Sequence, residues 1–253
     1  MNPTDTFLTL DHLRLHLRDW GGPQDAQPIL LVHGLASNAR IWDLVAPLLA
    51  GEFRVAAIDQ RGHGLSDKPA DGYNFSTVAR DLAVAIGALG WHQPLVVGHS
   101  WGANVALQLA ADAPDVPGGI VLLDGGTNEL ASIMSLEQTL ERLAPPRLAG
   151  MQRAAFVEML RSRWAGSAWS QPLEDAIMGN FAAVDAERIA PNLTYENHMT
   201  IVRAMWDQRP TQLFTQVTCP TLIIPAEPPA SDERGQEWLE LKRRSVESAA
   251  AAI

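Results

Sequence analysis

The chain carries the pattern Gly-x-Ser-x-Gly at positions 98–102, with Ser100 at its centre. The apolar run 95–97 precedes the pattern and the helix-forming run 103–107 follows it, so a strand leads into the motif and a helix leads out. Such a turn holds the serine in a strained backbone conformation that exposes its oxygen, and the flanking glycines let strand and helix approach. The motif therefore predicts that Ser100 is the nucleophile of an acyl-transfer reaction.

A serine hydroxyl is a weak nucleophile and needs a histidine to take its proton and a carboxylate to orient that histidine. Asp124 directly follows the apolar run 120–123, at the predicted carboxyl edge of a sheet, where ligands bind. We favour Asp124 as this acid over a plain helix-capping role. Glu227, in an Ala-Glu-Pro-Pro stretch, is the alternative acid, and Asp232 is a further one.

Five side chains near these motifs are candidates for contacts with a ligand. His33, His63 and His99 lie in tight turns, where an imidazole commonly satisfies buried backbone groups, so a structural role is favoured for each. We retain His33 and His99, together with Trp206, as candidate substrate contacts. His198 is expected at the surface or between helices, with a substrate contact left open. The histidines lack metal-ligand spacing, so no metal and no cofactor are expected.

The elements that position these residues follow from the apolar pattern. Strands are predicted at 7–10, 13–19, 28–32, 54–58, 94–97, 119–123 and 220–224. Helices are predicted at 42–49, 76–89, 101–113 and 233–251. The last four strands are almost wholly apolar, which is typical of parallel strands buried on both faces. The alternation predicts an α/β fold with a mostly parallel sheet and helices on both faces.

The segment 127–213 interrupts this alternation. It contains amphipathic helical patterns and no convincing strand, and it is rich in large apolar side chains. We interpret 127–213 as a helical cap insertion, with residues 1–126 and 214–253 forming the core domain. Most of its aromatic side chains are expected in the core of the cap, and a minority are expected to line a substrate cavity.

With these motifs in their order, the chain resembles the α/β-hydrolase family from about Leu13 to Ala251. The resemblance implies that the stretch 32–35 is the oxyanion-hole loop, in which the backbone N–H groups of Leu35 and Trp101 are the donors. It also implies a structural turn at 59–67, where we expect Asp59 and Arg61 to pair.

The resemblance is incomplete at the third member of the triad. The family histidine belongs in a loop after an eighth strand, and no histidine follows His198. The family's usual acid pattern after the seventh strand, Gly-Glu-x-Asp, is also absent. We expect the general base beyond residue 253, within roughly 30 further residues, given the usual lengths of these elements.

Composition narrows the class of protein. The chain has 253 residues, 47% hydrophobic content and a formal net charge of -10, which disfavours a nucleic-acid partner and leaves a small-molecule acyl substrate. The start lacks the charged and apolar regions of a secretory leader, and no long apolar run follows, so a cytoplasmic protein without a membrane partner is expected. The single cysteine, Cys219, is predicted to be buried and structural.

The sequence thus predicts a serine hydrolase that cleaves a carboxylic ester or a similar acyl substrate through an acyl-enzyme on Ser100. Within enzymes, a carbon-carbon hydrolase and a proline iminopeptidase-like activity remain alternatives. Epoxide hydrolases and haloalkane dehalogenases are disfavoured because they use an aspartate at the serine position. A non-hydrolytic binding protein is the alternative from another class, if no catalytic histidine exists.

Overall fold

The computed structural model describes residues 2–10, 12–163, 169–227 and 233–253. Within them, the strands are β1 (Thr4–Leu10), β2 (Leu13–Gly21), β3 (Pro28–Val32), β4 (Arg54–Ile58), β5 (Leu95–His99), β6 (Gly119–Leu123), β7 (Met151–Gln152), β8 (Phe181–Ala183), β9 (Arg188–Pro191) and β10 (Thr221–Ile224). The α-helices are α1 (Ala46–Leu49), α2 (Phe75–Ala88), α3 (Trp101–Asp112), α4 (Leu130–Ile133), α5 (Leu136–Arg142), α6 (Arg153–Arg163), α7 (Gln171–Met178), α8 (Tyr195–Asp207), α9 (Pro210–Leu213) and α10 (Glu233–Ala252).

Seven strands form the central sheet in the order β1-β2-β4-β3-β5-β6-β10. β1 and β2 are antiparallel to their neighbours, whereas β4, β3, β5, β6 and β10 run parallel. The predicted α/β class with a mostly parallel sheet is therefore confirmed. β3 has β4 on one side and β5 on the other, so the strand order reverses at β3, and ligands bind at such a point beyond the carboxyl ends of the strands.

Alternating side chains divide the core into two apolar layers. Leu30 and Val96 face the layer that α2 and α3 cover, whereas Leu31 and Ala57 face the opposite layer with Trp42. This separation follows from the two-residue period of a strand. The helices that pack on the sheet thus hold β3, β5 and β6 in place. The predicted catalytic residues lie at the carboxyl ends of these strands.

The first predicted helix is much shorter in the structure. A single 3-10 turn at Ala39–Trp42 and the one-turn helix α1 replace the helix expected over 42–49. Asn38 caps the 3-10 turn by accepting the Arg40 N–H at 2.9 Å. The proline at position 47 fits only the first turn of a helix, because proline lacks an N–H, so it favours a new start at α1 rather than continuation.

The segment between β6 and β10, predicted to be a helical cap, contains strands that the sequence did not predict. β7, β9 and β8 form a small antiparallel sheet between the helices α5 to α8. Each of these strands has two to four residues, which is too short to show an alternating pattern. Trp164 and Gly166, part of the pattern used to predict this cap, lie outside the described residues. Among the helices that are described, none is long and apolar enough to cross a bilayer.

β10 differs from the prediction that the apolar strands are buried on both faces. Leu222 and Ile224 are 56% and 42% exposed. β10 pairs with β6, and in the described part of the chain no second strand pairs with it. The face that carries Leu222 and Ile224 is left open, while Ile223, on the opposite face, packs against the core.

The turn after β4 is built around a buried carboxylate. Asp59 accepts a hydrogen bond from the Ala39 N–H at 2.6 Å and from the Leu65 N–H at 2.8 Å, and it contacts the His16 ring at 2.8 Å. The predicted pairing of Asp59 with Arg61 is wrong. Arg61 instead binds Asp81 of α2, with nitrogen–oxygen distances of 2.5 and 2.7 Å. The reason is that backbone N–H groups and His16 already occupy the Asp59 oxygens.

Burial alone raises the pKa of the Asp59 carboxyl, but the hydrogen bonds from His16 and the backbone outweigh burial and lower the pKa to about 2. The carboxylate therefore stabilises the fold when it is ionised. A pKa below that of the unfolded chain means that this stabilisation is present above about pH 4 and is lost as the pH falls towards 2.

Replacing Asp59 with Asn tests this interpretation of the turn. The amide keeps the shape but loses the charge, and we expect the free energy of unfolding at neutral pH to fall by about 2 to 3 kcal/mol. Urea unfolding measures this change, with Asp25→Asn in an exposed turn as the control. Equal midpoints for the two variants would contradict the role of Asp59.

Candidate active site

Ser100 connects β5 to α3 through a strained backbone. Its φ and ψ are 52° and -119°, a region that residues with a side chain rarely adopt. The Ser100 N–H donates to the Leu123 oxygen of β6 at 2.8 Å, which ties the strained residue to the neighbouring strand. The structure thus has the sharp strand-to-helix turn that the motif predicts.

Close backbone contacts hold this turn, and they require glycine. A Cβ added to Gly98 would lie 2.2 Å from the Gly102 oxygen, and one added to Gly102 would lie 2.5 Å from the Val32 oxygen. A Cβ on Gly125, after β6, would lie 2.2 Å from the Ser100 oxygen. The sequence motif identified the first two glycines. It missed Gly125, whose requirement is visible only once β6 lies beside β5.

The predicted oxyanion donors have no competing acceptor among the described residues. Trp101 is the first residue of α3, so its N–H has no acceptor within the helix. The Leu35 N–H lies in the turn after β3, and no described hydrogen bond uses it. Gly34 brings this turn to the elbow, since an added Cβ there would lie 3.2 Å from the Ser100 Cβ. These two N–H groups are thus available to bind a developing oxyanion.

His33 and His63 fix the backbone of this turn. His33 is fully buried: its Nδ1 lies 2.8 Å from the Gly34 oxygen, and its Nε2 accepts the Gln60 N–H at 3.1 Å. His63 accepts the Ala36 N–H at 3.2 Å through Nε2, and its Nδ1 lies 2.9 Å from the Arg61 oxygen. Both nitrogens of each ring contact backbone groups, as expected for the structural role that the sequence analysis favoured for both histidines.

Burial controls the protonation of both rings. Burial lowers the pKa of His33, and it lowers that of His63 to about 3, with the nearby His33 ring adding to the effect. His63 also stacks on Trp101 at 5.2 Å between ring centroids. Both imidazoles are thus neutral near pH 7, and a proton on His63 Nε2 would remove the acceptor of the Ala36 N–H.

Asp124 lies at the end of β6 with an unusual backbone. Its φ is 50°, and its N–H donates to the Ile224 oxygen of β10 at 2.9 Å. The carboxylate oxygen Oδ1 accepts the Ala226 N–H at 3.3 Å and a hydrogen bond from the Lys242 ammonium. The contact of Lys242 with Asp124 could not be predicted from the sequence, because the sequence of α10 does not show what the helix packs against.

His99, the last residue of β5, shares this edge of the sheet. Burial lowers the pKa of His99, while the Asp124 charge opposes that effect. A Cβ added to Gly34 would lie 3.2 Å from His99 Nδ1, so the ring lies beside the predicted oxyanion loop. This placement keeps His99 as a candidate substrate contact.

Glu227, the alternative acid, lies in a different environment. Its side chain is 61% exposed and pairs with Arg243 at 3.2 Å. A solvated ion pair orients a carboxylate weakly. The Asp124 carboxylate is therefore held in one orientation more firmly than that of Glu227. Asp232 lies outside the described residues.

A cavity of about 600 Å³ lies between the turns after β3 and β4 and the segment that connects β6 to β10. From the core it is lined by Ala36, Ser37 and His63, next to the predicted oxyanion loop; Ser100 itself is not among the lining residues. From the segment between β6 and β10, the lining is mainly apolar and includes Pro145, Phe156, Phe181, Pro191 and Leu193. The polar residues of this part of the lining are Arg147, Asn180, Asn192, Thr194, Tyr195, Glu196 and His198. Its volume suits a small organic ligand.

Three further predicted residues have defined places. His198 is buried between helices, with Nε2 at 3.0 Å from the Leu143 oxygen, and it lines the cavity. Trp206 donates its indole N–H to the Met134 oxygen at 2.9 Å and is not part of the cavity lining, so its substrate contact stays a prediction. Cys219 is half-buried rather than buried, because it lies just before the edge strand β10.

Comparison with known proteins agrees with this architecture. A family model for the alpha/beta hydrolase fold matches residues 27–175, more than half of the chain. The chain belongs to the alpha/beta hydrolase family, as the resemblance at the elbow predicted.

Individual relatives match shorter regions. A serine hydrolase-like protein of Danio rerio is 39% identical over 105 residues, 41% of this chain and 32% of that protein. A 2-(acetamidomethylene)succinate hydrolase of Mesorhizobium japonicum is 37% identical over 116 residues, 46% of this chain and 40% of that protein. The chain thus spans less than half the length of these two relatives in the matched regions. The crystal structure of E-2-(acetamidomethylene)succinate hydrolase is similar with a TM-score of 0.77 and 24% identity, covering 96% of this chain and 88% of that one.

The low pKa of His63 predicts how stability depends on pH. Below about pH 6.5, His63 gains a proton in the unfolded chain but not in the folded chain. The free energy of unfolding therefore falls as the pH falls towards 3. In His63→Gln we expect this dependence to weaken by about 1.4 kcal/mol per pH unit over that window. Urea unfolding across the window measures it.

The exposed His92 provides the matched control, because His92→Gln removes an imidazole without removing a buried one. An unchanged pH dependence in His63→Gln, equal to that of His92→Gln, would show that His63 is not held neutral.

Proposed function

We propose that the protein is a serine hydrolase that cleaves a carboxylic ester or a similar acyl substrate through an acyl-enzyme on Ser100. The observation that carries the proposal is the strained Ser100 backbone, with φ of 52°, at the carboxyl edge of the sheet. Strained residues cluster where a side chain must be aimed at a substrate.

The first half of the proposed reaction forms the acyl-enzyme. Ser100 Oγ attacks the substrate carbonyl carbon while its proton passes to a general base. The carbonyl oxygen becomes an oxyanion, which the N–H groups of Leu35 and Trp101 stabilise. Donors of this kind contribute about 2.7 to 4 kcal/mol each in comparable sites. The intermediate then expels an alcohol or amine, which takes the proton from the base.

The second half releases the acid. Water gives a proton to the same base and attacks the ester carbon on Ser100, a second oxyanion forms in the same place, and its collapse returns the proton to Ser100. Asp124 orients the base and stabilises its protonated form throughout, as the carboxylate of a triad does. The carboxylate is suited to this because Oδ1 is fixed by Ala226 and Lys242.

The proposal requires a general-base histidine that Asp124 orients, as in a triad. His33 and His63 do not fit the role, since both nitrogens of each ring already contact backbone groups. His198 lies in the insertion, where Nε2 contacts the Leu143 oxygen.

The cavity supports a substrate with an apolar part. Its lining is mainly apolar, and it includes Ala36 and Ser37, directly after the proposed oxyanion donor Leu35. One relative is named for hydrolysis of 2-(acetamidomethylene)succinate, which is an amide. We therefore propose that amides as well as esters belong in the panel of test substrates.

Turnover of p-nitrophenyl esters and matched anilides tests the proposal. Ser100→Ala is expected to abolish turnover, and Asp124→Asn to lower kcat by about 10³ to 10⁴, because the base loses its orientation. Thermal unfolding of each variant checks that the fold is kept.

Two carboxylate variants act as controls. Asp115→Asn changes an exposed loop and leaves turnover unaffected, while Glu227→Gln separates the alternative acid from Asp124. Wild-type turnover in Ser100→Ala would contradict the proposal, and a larger loss in Glu227→Gln than in Asp124→Asn would reassign the acid.

A further inference from the structure

The basic run 242–244 on α10 divides into one inward and two outward side chains. Lys242 is only 13% exposed, whereas Arg243 and Arg244 are 54% and 75% exposed and pair with Glu227 and Glu240 on the surface. Burying an ammonium is costly unless it is paired and hydrogen-bonded. Lys242 therefore differs from its neighbours in that its ion pair is largely shielded from solvent on the lysine side.

That partner is Asp124 together with the start of the loop after β10. The Lys242 ammonium donates to Asp124 Oδ1 and to the Ala226 oxygen, the latter at 3.0 Å. The Ala226 N–H donates to the same Oδ1 at 3.3 Å. The three groups form a closed ring of hydrogen bonds that joins the ends of β6 and β10 to α10.

We propose that Lys242 is a positioning residue that sets the orientation of the Asp124 carboxylate. This role rests on the proposed function of Asp124 as the acid of a triad. Both donors act on Oδ1, and no donor from the described residues reaches Oδ2. Rotation of the carboxylate would break both bonds, so Lys242 keeps Oδ2 as the oxygen that receives an imidazole N–H.

The charge of Lys242 has a second effect. Among the described residues, the ionisable groups around Asp124 are His99 at the end of β5, Lys242 on α10, and the Glu227–Arg243 pair next to Ala226. A partly buried ammonium next to the carboxylate opposes a positive charge on an imidazole bound to it. Lys242 thus lowers the pH at which the base gains its proton, which extends activity towards acid.

Steady-state kinetics on the full chain test this role. In Lys242→Met we expect kcat to fall about tenfold with KM within about twofold, because orientation of the base is lost and substrate binding is not. We also expect the acidic limb of the kcat/KM profile to move up by about one pH unit, since the base now protonates more readily. Lys242→Arg keeps the charge and is expected to restore the position of that limb.

Arg244→Met is the matched control, because it removes an exposed cation from the same helix. Lys242→Gln provides the same loss of charge with a polar side chain if Lys242→Met unfolds. Wild-type kcat and an unmoved acidic limb in the neutral Lys242 variants would overturn the proposal. Failure of the proposed function would show differently, as full turnover in Ser100→Ala, whatever the Lys242 variants do.

Discussion

The site depends on the close approach of β5 and α3 at their shared turn. A helix that starts this near to a strand leaves no room for side chains at positions 98 and 102, and the Val32 and Gly102 oxygens occupy that space. The chain can make the turn only by forcing Ser100 to a φ of 52°. The flanking elements must hold this strain, and the apolar layers on both faces of the sheet, together with the hydrogen bond to Leu123, do so.

The same constraint extends to the neighbouring strands. Gly125 must lack a side chain because the Ser100 oxygen lies beside it, and Gly34 is also closely packed, since an added Cβ would lie 3.2 Å from His99 Nδ1 and from the Ser100 Cβ. The turns after β3, β5 and β6 therefore interlock, and each brings one component of the proposed chemistry. Buried neutral imidazoles fix the first turn, and an ion pair from α10 fixes the third. Close backbone packing thus brings the three turns together, and the contacts of the imidazoles and the ion pair then hold them in place.

Much of the core could be predicted from the sequence, because local patterns encode it. The apolar runs that became β3, β4 and β6 have the predicted bounds, and the elbow was visible in five residues. Features that depend on distant contacts were not predictable. Lys242 meets Asp124 across 118 positions of sequence. Arg61 pairs with Asp81 rather than with Asp59, because backbone N–H groups already donate to the Asp59 carboxylate. The strands β7 to β9 are too short to show an alternating apolar and polar pattern in the sequence.

The central claim is that Ser100 forms a covalent bond to the acyl group of its substrate. Mixing the protein with a p-nitrophenyl ester, quenching in acid within one turnover and measuring intact mass tests it directly. We expect a mass gain equal to that of the acyl group. Peptide mapping should locate this adduct on Ser100, and Ser100→Ala should not carry it. Steady turnover of the ester with no adduct, or with an adduct on a different residue, would contradict it.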